Sequence, residues 1–230
     1  MGFKQQLNDQ FARLGKALSS GPRLEILEYL AQSERSVDQL ASLSGLSLAN
    51  TSQHLQRMHQ VGLVVSRRQG KQIIYRLADD DVIELLAVLK RVSERHLHEV
   101  RDLIDRHLTQ RDSLEPISAT ELIARCRDGL VTVLDVRPAE EYAAGHVPGA
   151  INVTLADLER KMIDLDPNLE IVAYCRGAYC TLSFEAIERL RAHGFRARRL
   201  ADGFPEWKLE HRPVEIGIED DGESHSTIGE

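Results

Sequence analysis

Tyr174-Cys175-Arg176-Gly177-Ala178-Tyr179-Cys180-Thr181 separates two segments of different periodicity. Before it, Ile171-Val172-Ala173 is a short apolar run of β type; after it, residues 182–190 read as an amphipathic helix. A cysteine therefore stands where a strand ends, a short loop turns and a helix begins. Loop amides and a helix N-terminus aimed at that sulfur favour an anion, lower a thiol pKa and make the thiolate the reactive form. The pattern predicts that Cys175 is exposed, electropositively placed and acid-shifted. Cys180 closes the same loop as a second thiol.

Working outward, Ser118-Ala119-Thr120-Glu121 is a capping box that opens a helix through Leu122, Ile123 and Cys126, with Cys126 expected in the core. Residues 131–136 form a buried strand and Ile151-Asn152-Val153 a short one. Residues 155–162 look helical, and residues 197–200 make a further strand. Alternating strands and helices predict a small α/β domain with a largely parallel sheet. Reactive groups in such sheets lie beyond the carboxyl ends of the strands, which is where Cys175 falls.

Three separated motifs occur here in order: Asp135-Val136-Arg137, then Glu141-Tyr142-Ala143-Ala144-Gly145-His146-Val147-Pro148-Gly149-Ala150-Ile151-Asn152, then the cysteine loop with Asp202-Gly203-Phe204-Pro205-Glu206-Trp207. Together they resemble the rhodanese homology domain across residues 115–210. The resemblance implies that Cys175 accepts sulfane sulfur and carries it as a persulfide, cradled by the loop amides of Arg176, Gly177, Ala178, Tyr179 and Cys180, with Thr181 opening the next helix. It also implies that Asp135 and Arg137 fix the neighbourhood of the loop rather than react. Tyr179 is read as a wall of the pocket. Active loops of that family usually read Cys-Arg-x-Gly-x-Arg. Here Gly177 comes one place early and the sixth place is Cys180. The missing arginine would help to bind thiosulfate, so weak thiosulfate turnover is expected, with Arg176 a poorer anion clamp. In its place stands a resolving thiol, able to attack a Cys175 persulfide and leave a disulfide or a sulfur-bridged product.

The N-terminal half has a different texture. Leu7, Phe11, Leu14 and Leu18 recur at helical spacing, and Pro22 opens a second helix with Leu24, Leu27 and Leu30 as its buried stripe. Ser36-Val37-Asp38-Gln39 caps a short third helix, Ser44-Gly45-Leu46 is a tight turn, and Ser47 caps a fourth helix running to about Val61. On that fourth helix Leu48, Thr51, Leu55 and Met58 share one face. Asn50, Gln53 and Arg57 lie opposite, flanked by His54 and Gln56. Asn, Gln and Arg are the side chains that hydrogen-bond base edges in the major groove. Residues 63–68 and 72–77 are strand-like and form a hairpin whose Arg67, Arg68, Lys71 and Arg76 suit phosphate and the minor groove.

Taken in series, Thr51-Ser52-Gln53-His54-Leu55 and Val61-Gly62-Leu63-Val64 resemble the recognition helix and wing entry of the ArsR family of winged-helix repressors, over roughly residues 8–100. That resemblance implies a homodimer, formed through terminal helices, reading two half-sites of a double-stranded operator. Asp79-Asp80-Asp81 is read as the cap of one long helix reaching Leu108, in which Leu85, Leu89, Val92, His96, Val100 and Leu103 form a seam for a partner helix. Metal sensing, common in the family, finds no support. The third helix has no cysteine, and His96, His98, Glu99, Asp105 and His107 do not reproduce the family's other ligand spacing. No metal or cofactor is expected.

Composition limits the remaining choices. The net charge is −7, but residues 1–112 hold 16 Lys/Arg against 14 Asp/Glu while residues 113–230 hold 13 against 22. Only a local basic face is needed for phosphate contact, so DNA stays open as a partner. No apolar run approaches the ~20 residues of a membrane span, and the start lacks the apolar core of a secretion signal. A cytoplasmic location is expected, where a cysteine pair is catalytic, sensing or metal-binding rather than structural. The sequence thus predicts two domains: a mainly α winged helix-turn-helix DNA-binding and dimerisation domain (1–110), a linker (111–115), an α/β rhodanese-like domain (116–212) and an acidic tail (213–230). The expected function is a repressor whose Cys175 and Cys180 sense reactive sulfur or an oxidant. Two alternatives are a sulfurtransferase with an autoregulatory DNA domain and an arsenic-responsive regulator using the cysteine pair.

Overall fold

The computed structural model describes residues 2–112 and 115–217. Two compact units divide the chain, Met1–Gln110 and Arg111–Glu230. Most of the predicted acidic tail, residues 218–230, lies outside the described residues, as do residues 113 and 114 of the predicted linker.

In the first unit the order is α1 (Phe3–Leu18), α2 (Gly21–Gln32), β1 (Arg35–Ser36), α3 (Val37–Ser44), α4 (Leu48–Gln60), β2 (Val64–Gln69), β3 (Gln72–Leu77), α5 (Asp81–His96) and α6 (His98–Ile104), then a π-helical turn at Asp105–Thr109. Local chemistry explains the α3–α4 corner. Ser36 and Gln39 exchange the two hydrogen bonds of a capping box, and Gly45, at φ 65°, ends α3 in the left-handed conformation. The Ser47 side chain then accepts the Asn50 amide and starts α4. Ile26, Leu27, Leu30, Leu40, Leu55, Met58, Leu63 and Val82 are buried and hold α2 to α5 and the hairpin together. β2 and β3 pair antiparallel, Arg67 opposite Ile74 and Arg68 opposite Ile73, through a two-residue turn with Gly70 at φ 60°.

Two expectations for this unit need correction, in α2 and in the terminal helix, and the apolar faces of α1 and α4 are only partly buried. Leu48 is 53% exposed, because it opens α4 on its first turn; only Thr51, Leu55 and Met58 of that stripe are buried. On α1, Phe11 is 64% exposed and Leu7 is exposed, while Leu14 and Leu18 are half-buried. In α2, Leu24 is half-buried and Ile26 takes the core position beside Leu27 and Leu30. The long terminal helix is interrupted at Leu97, which is extended at φ −99°, ψ 115°. Beyond Leu86, none of the α5 residues is buried. A helix held by propensity alone through Ser93-Glu94-Arg95-His96 is marginal.

The second unit runs α7 (Ala119–Arg127), β4 (Val131–Asp135), α8 (Ala139–Ala144), β5 (Ile151–Asn152), α9 (Leu158–Lys161), a 3-10 turn (Met162–Asp164), β6 (Glu170–Tyr174), α10 (Thr181–Ala192), β7 (Ala197–Arg199) and α11 (Phe204–Leu209). Its sheet has the order β5-β4-β6-β7, and all three pairings are parallel. Successive residues point to opposite faces. Leu134, Ile171, Ala173 and Cys175 pack with Leu158, Ala186, Ile187 and Leu190 of α9 and α10. Val133, Val172 and Tyr174 pack with Leu122, Phe204 and Trp207 of α7 and α11. That alternation puts the Cys175 sulfur on the α10 side and the Tyr174 ring on the other.

Candidate functional site

The loop between β6 and α10 carries both thiols of the candidate site. Cys175 is 2% exposed and belongs to the core cluster against α10. Its Sγ is 3.5 Å from Ser183 Oγ, 3.6 Å from the Cys180 carbonyl oxygen and 3.9 Å from that of Gly177. Cys180 is half-buried at the N-cap of α10. Burial drives the Cys175 thiol well above the usual thiol range, and its hydrogen bond to Cys180 raises it further, although the hydroxyl and amide of Ser183 oppose this. Cys180 is lowered to about 6, chiefly by the hydrogen bond from Cys175; the amides of Leu182 and Arg176 and the Arg176 charge add to it, against burial. The sequence-based expectation of an exposed, acid-shifted Cys175 is therefore corrected. The strand continues its inward alternation one residue into the loop, and the sulfur at the helix N-terminus is that of Cys180. Cys126 is also misplaced by sequence: it lies at the solvent side of α7.

Beneath the loop lies a buried polar framework. Asp135 and Arg137 are both fully buried. Asp135 accepts hydrogen bonds from the Arg137 amide and guanidinium, at 2.6–3.1 Å, and from the Tyr174 hydroxyl at 2.6 Å. Arg137 also donates to the Gly145 carbonyl at 2.7 Å and stacks 4.2 Å from the Phe204 ring centroid. Tyr174 accepts the Val147 amide. Fully buried Glu141 receives the Arg176 guanidinium through Nε (2.9 Å) and Nη2 (2.7 Å). The cation next to Cys175 is thus already neutralised from below. From the side, Gly203 touches loop backbone: a Cβ there would lie 2.2 Å from the Gly177 nitrogen and 2.4 Å from its Cα. Phe204 N donates to the Cys175 carbonyl. Ala178 and Tyr179 are exposed, and Gly177 and Thr181 complete the turn into α10.

Sequence reasoning did not give a role to Glu141, Ser183 or Gly203. Nor did it find the clamp at the start of this unit. Asp112, buried just after residue 110, accepts from Arg191 Nη1 of α10 at 2.8 Å and Arg199 Nε of β7 at 2.9 Å. Arg111 meets Glu188 of α10 through two hydrogen bonds, at 3.0 and 2.7 Å. The helix that begins at Cys180 therefore holds the first residues of its own unit.

In the first unit Asn50, Gln53 and Arg57 are exposed on α4, and Arg68 and Lys71 on the hairpin. Ser47 is spent on the cap. His54 is half-buried, with Nδ1 buried and lacking a hydrogen-bond partner among the described residues; burial, then Arg23 and Arg57, lower its pKa. Arg67 is bound by Glu34 and Gln69. Residues 20–66 match the family described as "Bacterial regulatory protein, arsR family" and residues 118–210 match the "Rhodanese-like domain". The HTH-type transcriptional regulator Rv0324 of Mycobacterium tuberculosis is 44% identical over 214 residues, 93% of this chain and 94% of the relative.

The chain belongs to the ArsR-type transcriptional regulators that carry a rhodanese-like domain.

Two other similarities cover part of this regulator. The homodimeric winged helix-turn-helix DNA-binding domain of Mb0332 from Mycobacterium bovis, solved in solution, is 43% identical. It covers 43% of this chain and 92% of its own, with a TM-score of 0.40. The "Putative sulfurtransferase YtwF" of Bacillus subtilis is 32% identical over 81 residues, 35% of this chain and 77% of the relative. Among the described residues of the regulator, no helix is long and apolar enough to cross a membrane.

Proposed function

We propose that this regulator is a homodimeric repressor whose operator affinity is set by thiol chemistry at Cys175 and Cys180, driven by sulfane sulfur or another thiol-reactive inducer. The observation that carries the reading is the pair itself: two thiols within hydrogen-bonding reach, one at a strand end and one at a helix N-cap. Asn50, Gln53 and Arg57 on α4 read base edges, and Arg67, Arg68 and Lys71 on the wing hold phosphate. The exposed Phe3, Phe11, Val88 and Val92 of α1 and α5 suit burial against a second copy. A new bond between residues 175 and 180 alters the first turn of α10, and α10 grips Arg111 and Asp112, where the chain arrives from the DNA-binding unit. A coupling of about 1–3 kcal/mol corresponds to a roughly 5–150-fold change in operator affinity.

The test is operator binding by the reduced protein, measured before and after treatment with a hydropersulfide or hydrogen peroxide. A change in affinity of about fivefold or more is expected, abolished in Cys175→Ser. Equal affinities before and after complete modification refute the reading. The sulfurtransferase alternative is less well supported, because the Glu141–Arg176 pair leaves the loop without an uncommitted guanidinium for a dianionic donor.

A further inference from the structure

Resting on the proposed thiol chemistry and deepening it, we infer that Ser183 is a working residue of the site, whose hydroxyl and amide hold the charge that Cys175 must carry as it attacks a sulfur donor. The difficulty that Ser183 answers is burial. Cys175 is sealed into the apolar cluster against α10, and a charge in such surroundings is costly unless it is hydrogen-bonded. Two groups at the sulfur, the carbonyl oxygens of Gly177 at 3.9 Å and Cys180 at 3.6 Å, can only accept, and they favour the S–H form. Arg176, the only basic residue in the loop sequence 175–181, is held by Glu141 in two hydrogen bonds. The amides of Leu182 and Arg176 go to the Cys180 sulfur. A thiolate at residue 175 therefore needs another source of donors.

Ser183 supplies two. It lies in the first turn of α10, where amides have no carbonyl of their own helix to bind, and its amide is hydrogen-bonded to the Cys175 sulfur. Its Oγ is 3.5 Å from that sulfur, and the residue is buried. In the thiol form the hydroxyl accepts the Cys175 S–H and donates to the Cys180 carbonyl at 3.3 Å. A hydroxyl hydrogen rotates to suit its partners. Once the sulfur has lost its proton, the same O–H turns to it, exchanging a bond to a neutral carbonyl for a charge-assisted one. With a hydropersulfide RSSH, the ionised Cys175 Sγ attacks the outer sulfur. The S–S bond of the donor breaks, and RS⁻ leaves with the electron pair and takes up one proton, equal to the one Cys175 released. Cys175–SH and RSSH thus give Cys175–SSH and RSH, with no other oxidant or reductant required.

The experiment compares the full chain with and without Ser183→Ala, a change that keeps the amide and removes the hydroxyl. First, sulfur uptake from glutathione hydropersulfide at neutral pH is timed by intact mass in a Cys126→Ser, Cys180→Ser background, where Cys175 is the one thiol. Each chain gains one sulfur atom, about 32 Da. The hydroxyl bond to a charged sulfur makes the Ser183→Ala rate about tenfold slower. A Ser183 that only fills space predicts the opposite, because a loosened loop admits the donor faster. Equal or faster uptake in Ser183→Ala overturns the inference and leaves the sensor reading intact. Second, with Cys180 present, iodoacetamide labelling is mapped by peptide mass. Label on Cys175 relative to Cys180 in the same sample should fall about tenfold in Ser183→Ala; an unchanged or higher ratio overturns the inference. If neither chain takes up sulfur, the sensor reading falls, and the labelling ratio still judges Ser183 by itself.

Discussion

Replacing Asp112 with alanine removes the carboxylate that two guanidinium groups share. Asp112 has a side chain 2% exposed, and Arg199, at 10%, is the more deeply placed partner, stacked 3.6 Å from the Phe184 ring centroid. Arg191 is 27% exposed and keeps its 2.8 Å bond to the Ala197 carbonyl, so it can turn partly to water. Breaking a buried pair by removing one partner costs about 3–5 kcal/mol. Because only Arg199 is left stranded, the lower end applies, about 3 kcal/mol. At about 4 °C per kcal/mol for a domain near 100 residues, the melting transition of the second unit falls by roughly 12 °C. Arg111→Ala supplies the contrast, since its pair with Glu188 is 34% and 40% exposed and is worth roughly 0.5 kcal/mol. The assay is differential scanning calorimetry of the full chain with each substitution. Below the new transition, Asp112→Ala should still react with hydropersulfide while its operator affinity no longer responds. If Asp112→Ala melts within about 1 kcal/mol of the parent, the triad does not hold the start of the unit. If it is destabilised but responds normally, the clamp is not the route of coupling.

Three further outcomes follow from the site. The rate of Cys180 alkylation in the Cys126→Ser protein should rise with pH through a midpoint of about 6 and then level off, since thiol loses its proton to thiolate as pH rises; the groups that set this are Cys175, the Leu182 and Arg176 amides and the Arg176 guanidinium, and a midpoint above about 8 contradicts the geometry. Glu141→Gln loosens Arg176 and should lower stability by about 2–3 kcal/mol while raising thiosulfate:cyanide sulfur transfer severalfold from a barely measurable level; unchanged transfer with normal folding removes the role given to Glu141. Glu34→Gln releases Arg67 from an exposed pair, so operator affinity at low salt should rise roughly twofold per half-site, with a salt slope steeper by about 0.9 per phosphate gained; equal slopes show that Arg67 does not reach DNA.

What the sequence made legible were features fixed by local rules. Alternation along residues 131–136 and 171–174, the capping residues Ser36, Ser47 and Ser118, and the glycine at 45 specify elements from within a few neighbours, and those elements are present. Patterns that depend on what lies opposite were read less well. A leucine such as Leu48 is apolar whether or not another element reaches it. The continuity of residues 81–108 as one helix depends on packing that stops at Leu86. The exposure expected of Cys175 failed for a related reason. Loop position names Cys175, but which sulfur receives the amides depends on how far the strand's in-and-out alternation persists past Tyr174. The Asp112 triad spans 79 and 87 residues of sequence, and no local pattern announces it.

The contact between Gly203 and Gly177 has a mechanical consequence for the thiol loop. Main chain resting on main chain offers no soft side chain to compress, so that wall is stiff. Strain raised in the loop by a new bond at the thiols is not relieved toward Gly203, and the exposed Ala178 and Tyr179 are where the loop borders solvent. The Tyr179 ring, at the open side of the loop, is then the side chain placed to register a rearrangement at the sulfurs.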